Sequence, residues 1–209
     1  MHSLIELLKG NALALVFAAV VGVLSVAPTV LAPLSIGKEY KGVQYLYLND
    51  ETIYRTRIHE ILDGEPRVAS PFLYEYKDGK AVVPPINEYF YALPAYVFGL
   101  SGSILMAKFL FPAILFLLVY YFVRQLLSTL LRDTSHGTAI ATGLLVTLGY
   151  DLVDIGFIKA LLGGTLGAHL FVWTRVVNPI VGVLVAFAAL SLAWKLSEEK
   201  KIHHALLRS

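Results

Sequence analysis

Residues 10–37 read GNALALVFAAVVGVLSVAPTVLAPLSIG, and this stretch decides the class of fold. It carries no charge over a length well beyond the ~20 apolar residues that cross a hydrocarbon core of about 30 Å. A secretory signal peptide has an apolar core of only about 7–15 residues before a small-residue cleavage site. The basic flank here is a single Lys9. The stretch reads as a membrane helix over residues 12–34, with Pro28 and Pro33 kinking or ending its later part.

The composition agrees. Of 209 residues, 57% are hydrophobic and 15% charged, against about 25% charged in an ordinary soluble domain. The mean hydropathy is +0.68. Such a chain cannot keep a water-facing surface all round, which argues against a soluble enzyme, a nucleic-acid binder and a disordered protein. The net charge of +2 comes from scattered basic residues matched by acids, so no nucleic acid is expected as a partner. With no cysteine, disulfides, thiolate metal sites and cysteine nucleophiles are ruled out.

Further membrane segments follow along the chain. Tyr89 to Val123 is apolar except for Lys108, and too long for one straight crossing. Gly99, Ser101, Gly102 and Ser103 divide it. The expected parts are an interfacial helix over 89–100 and a crossing over 103–127, with Lys108 snorkelling at the boundary. A shorter crossing is expected at 137–150, ending against Asp151 and Asp154, and a clear one at 176–194 before a charged tail, 195–209. Gly163, Gly164 and Gly167 make 151–175 a re-entrant or interfacial piece. The expected fold is an all-α polytopic membrane protein, a single membrane domain of four transmembrane helices with a large, partly helical external loop over 35–102. Four crossings put Arg124, Arg132, Lys195, Lys200, Lys201 and Arg208 on one side with the N-terminus. By the positive-inside rule both termini are then cytoplasmic, and the expected location is the plasma membrane.

The loop differs from the rest: sixteen of the 32 charged residues fall between Lys38 and Glu88. Long loops translocate largely regardless of charge. Inside it, ETIYRTRIHEILDG predicts an amphipathic helix over 50–63. Ile53, Ile58, Ile61 and Leu62 form its apolar face, and Arg55, Arg57, His59 and Glu60 its polar one. Gly64 and Pro66 stop it. Asp50 and Glu51 are read in two ways: as acids capping the positive end of this helix, or as chemistry.

The second reading rests on a pattern. Asp50-Glu51 stand just outside the first membrane helix. Arg57-x-x-Glu60-Ile61-Leu62-Asp63-Gly64 follows, then Ala69-Ser70-Pro71, and Pro84-Pro85-Ile86 before the aromatic stretch EYFYALPAYVFGLSG. This order resembles the N-terminal third of membrane glycosyltransferases with the GT-C architecture, among them protein mannosyltransferases, aminoarabinose and arabinofuranosyl transferases, and oligosaccharyltransferase catalytic subunits. Trp173-Thr174-Arg175-Val176-Val177-Asn178-Pro179 is similar to an R-x-x-N-P segment of some members.

The resemblance implies sugar transfer from a polyprenyl-phosphate donor to an envelope acceptor at the outer membrane face. It implies Asp50 as general base and Glu51 as its orienting partner. The two acids would also be the ligands of a divalent metal, Mg or Mn, because hard cations take carboxylate oxygens. Tyr54, Arg57, Arg175 and Asn178 would bind substrate, the arginines facing the lipid phosphate. Lys159 is a further cation for that role. On residue type alone, Arg175 equally reads as a headgroup anchor or a partner of Asp151 or Asp154. The family core has more membrane helices than the four read here, so the chain is expected to be an N-terminal portion, completed by a missing C-terminal part or a further membrane subunit. The rival expectation is a non-catalytic membrane scaffold with an ordered external loop.

Overall fold

A computed structural model describes residues 10–41, 49–65, 79, 84–131, 136–149, 159, 163, 173, 175–177 and 179–206. Among these, the long elements are all α-helices: α1 (Ala12–Ile36), α2 (Asn49–Leu62), α3 (Ile86–Leu130), α4 (His136–Leu148) and α5 (Ile180–Leu206), with a 3-10 turn at Gly37–Glu39. The protein is an all-α polytopic membrane protein. α1, α3 and the Ile180–Glu199 part of α5 are long and apolar enough to cross a bilayer. α4, with 13 residues, is about 20 Å long, shorter than the hydrocarbon core.

The packing is that of a bundle whose small residues face inward. Ala14, Ala18, Val21, Ser25 and Thr29 are buried along one stripe of α1, while Leu13, Val16, Val20, Val23 and Leu34 are exposed. Spacings of three and four put the stripe on one face. Small side chains there let helix backbones approach without a hydrophobic drive between them. At Gly22 the approach reaches the backbone itself, since a Cβ would lie 2.8 Å from the ring and the carbonyl oxygen of Phe109 on α3. α4 meets α3 in the same way, Gly143 lying under the ring of Phe116.

α3 is one run of helix broken at Gly99, whose φ of 70° and ψ of 167° are non-helical. This is the division expected from the Gly99–Ser103 cluster. The two halves are tied by the Ser103 hydroxyl, which donates to the Tyr91 carbonyl at 2.5 Å. α5 departs from expectation at both ends. It begins at Ile180, directly after Pro179 whose fixed φ suits a helix start, and runs through the tail to Leu206. Leu, Glu, Lys and Ala hold helix well there. Val176 and Val177 precede it in a bend.

Candidate functional site

α2 does not float in a loop. It spans Asn49–Leu62, close to the 50–63 expected, and ends as Gly64 dictates. Gly64 has φ +93°; its N–H bonds the Ile61 carbonyl, and that of Glu65 bonds Glu60. This pair of bonds closes the helix with a left-handed glycine. Its inward face carries Ile58, fully buried, and Ile61. The face also buries two charged residues expected to be polar-side or catalytic, Glu51 and Arg57.

Each has a counter-ion on α3. Lys108 donates to Glu51 Oε1 at 3.2 Å and Oε2 at 3.5 Å, and reaches Thr29 Oγ1 on α1 at 3.5 Å. The side chains of Lys108 and Glu51 are only 3% and 1% exposed. Lys108 therefore does not snorkel: the first turn of α2 covers it and supplies the carboxylate that its burial demands. Pro33, lacking an N–H, leaves the Thr29 carbonyl without its ordinary helical donor, which adds polarity beside the pair. Two turns along α2, Arg57 Nε donates to Glu88 Oε1 at 2.6 Å, again largely buried. Arg57 is thus not on the solvated face of α2.

Around these pairs lies the larger of the two apolar clusters formed by the described residues. Ile58 and Ile61 of α2 join Tyr91, Ile104, Leu115, Val176, Val177 and Ile180, with Tyr54 and Trp173 packed against them. The Tyr91 hydroxyl accepts the Val177 N–H at 2.9 Å, and Trp173 Nε1 donates to the Val146 carbonyl on α4 at 2.8 Å. Val177 has φ +68°, in the left-handed region, a conformation that costs a β-branched residue of order 1–3 kcal/mol. Burial of its side chain and the Tyr91 bond hold it there.

The expected site residues are distributed as follows. Residue 50 lies in the first turn of α2; its side chain, like Asn178 and the pair Asp151 and Asp154, lies outside the described residues. Glu51 and Arg57 are in the ion pairs. Tyr54 is half-buried under the cluster. Arg175 is half-buried, immediately before Val176. His59 and Asp63 are exposed and bonded to each other at 2.9 Å. With Thr52, Arg55, Thr56, Glu60 and Leu100 they line an open cavity of about 400 Å³ on the outward side of α2. Glu51 as placed does not fit a metal ligand, because both its oxygens already face an ammonium. Among the described residues no three His, Asp or Glu side chains come together as a ligand set. Glu88, Thr29 and the pairing of Lys108 were not foreseen. The available signal was Lys108 itself, a lone charge in an apolar run, which calls for a named partner.

Fold and site together define a helical membrane protein with a peripheral helix clamped by buried ion pairs onto one end of its bundle. No protein-family model, no curated protein and no solved structure matches the chain.

Proposed function

We propose that the chain is a GT-C-like membrane glycosyltransferase, or part of one, acting on a polyprenyl-phosphate sugar donor at the outer face of the plasma membrane. The observation that carries this reading is a convergence. Two of the segments that carry the resemblance, Asp50–Gly64 and Trp173–Pro179, are more than a hundred residues apart in sequence. They meet in one apolar cluster at one end of the bundle. The strained backbone at Val177 adds support, because such conformations gather at functional sites.

In this reading α4 makes the fourth crossing in spite of its length, its His136 end beside Tyr120 and its Val146 end beside Trp173, so the α2 end of the bundle faces outward and both termini lie inside. Asp50 removes the proton from the acceptor hydroxyl as its oxygen bonds the anomeric carbon. The bond from that carbon to the phosphate oxygen breaks, and the lipid phosphate leaves with the electron pair. Arg175, beside the cluster, faces that phosphate, a role suited to its planar fork. Arg57 is given to Glu88 and serves the fold.

The test is sugar transfer in membranes carrying this chain and whatever completes it, at matched protein level. Asp50→Asn keeps the size and shape of this first-turn residue and removes its charge. Loss of a general base lowers the rate by about 10²–10⁴-fold, and that is the expected result. Wild-type transfer in this variant removes Asp50 from the mechanism and returns the chain to the scaffold reading.

A further inference from the structure

Lys108 is the single charge between Tyr89 and Val123. It lies sixteen residues from Arg124 along α3, about 24 Å on a helix, so the two cations are separated by nearly the thickness of a hydrocarbon core. An ammonium at that depth either reaches for water or is held by a protein carboxylate. Here it is enclosed, and three elements meet on it: Thr29 of α1, Glu51 of α2 and α3 itself. Glu51 is in the first turn of α2 and adjoins Asp50 in the chain. The Arg57–Glu88 pair fixes the same helix six residues on, about 9 Å away. Two fixed points on one face leave α2 no freedom to slide or roll.

We propose that Lys108 is a positioning residue for Asp50: by holding Glu51 from inside the membrane helix, it sets the depth and rotation of the α2 turn that carries Asp50. Its role in transfer rests on the glycosyltransferase reading; its role as the anchor of α2 does not. The acid pair thereby divides its work. Glu51 is the handle by which the bundle grips the helix, and Asp50 is the group presented.

The experiment uses the full chain in its native membrane and reads two quantities. The first is labelling, by a thiol reagent, of single cysteines at Thr52, exposed, and Ile58, fully buried. In the parent, Thr52→Cys labels and Ile58→Cys is protected. Adding Lys108→Met is expected to raise the labelling rate of Ile58→Cys at least tenfold while Thr52→Cys is unchanged. The second is transfer kinetics. A misplaced base costs turnover, about 10²-fold for a shift near 1 Å, so kcat falls while the KM for donor stays near the parent value. The double variant Glu51→Gln with Lys108→Met removes both buried charges and is expected to restore protein level but not kcat. Continued protection of Ile58→Cys in the Lys108→Met background, or wild-type kcat in the double variant, overturns the proposal. Wild-type transfer in Asp50→Asn overturns instead the glycosyltransferase reading, and the labelling result still decides whether Lys108 is the anchor.

Discussion

The two ends of the helix bundle solve one problem in opposite ways. At the end covered by α2, polar groups are ionic and sealed: Lys108 with Glu51, and Arg57 with Glu88. At the other end, Asn11 Oδ1 accepts from Tyr120 OH and from Arg124 Nη1, both at 3.1 Å. The Tyr120 hydroxyl also lies 2.6 Å from His136 Nδ1. Arg124 sits half-buried, with its guanidinium 5.7 Å from the Tyr120 ring centroid. Among the described residues the groups that Arg124 bonds, Asn11 and Tyr120, are neutral. The difference is one of water. At this end, where no helix among the described residues covers the half-buried Arg124, solvent solvates the charge and neutral partners are enough. Where α2 closes it, a cation can stay only if its lid brings the anion. The sealed end is therefore all-or-none, and the open end can lose its members one at a time.

The contrast breaks first on orientation. Cysteines at Thr52 and Ser197, both exposed, are expected to label from opposite sides of the membrane with an impermeant reagent, position 52 from outside. Labelling of both from one side ends the assignment of the two bundle ends to two faces. Next in size is Glu51→Gln, which leaves the Lys108 ammonium buried without a counter-ion. Breaking one half of a buried pair costs about 3–5 kcal/mol, read as a large drop in the thermal midpoint in detergent. Glu51→Gln with Lys108→Met is expected to recover most of it, since loss of both charges is far cheaper than loss of one. Smaller is Gly22→Ala. Its Cβ would meet both ring and backbone of Phe109 at 2.8 Å, so α1 and α3 must separate, at about 1–3 kcal/mol. The smallest effect is expected at the open end. Tyr120→Phe keeps the fully buried ring and removes one hydroxyl whose partners Asn11, Arg124 and His136 are only half-buried, so water can replace it at about 1 kcal/mol and the midpoint should move only slightly. A loss at Tyr120 as large as that at Glu51 would erase the distinction between the ends.

What the amino-acid order discloses is local. The uncharged run at 12–34 predicts α1 almost to its bounds. Gly64 stops α2 and Gly99 breaks α3 through backbone freedoms that belong to glycine alone. The start of α5 is missed because Val176 and Val177 look helical in an apolar run, while Tyr91 and the cluster hold them in a bend. The ion pairs are missed for a related reason. Arg57 has every appearance of a solvated residue until Glu88, 31 positions away, is laid beside it. Lys108 reads as a boundary lysine until α2 is placed over it. Periodicity reports which face a helix buries, but not which charges that face carries inward when a partner waits there. For Asp50, sequence supplies the resemblance, and the structure adds the fixed helix on which it stands.

Glu51 is synthesised 57 residues before Lys108. At about 5–20 residues per second, that is a delay of roughly 3–11 s. Through that interval α1 can already be in the bilayer while the carboxylate meant for its bundle remains hydrated. The lid therefore cannot close until the second long membrane helix arrives with its cation. A chain arrested before residue 108 presents α2 undocked, with Ile58 and Ile61 uncovered.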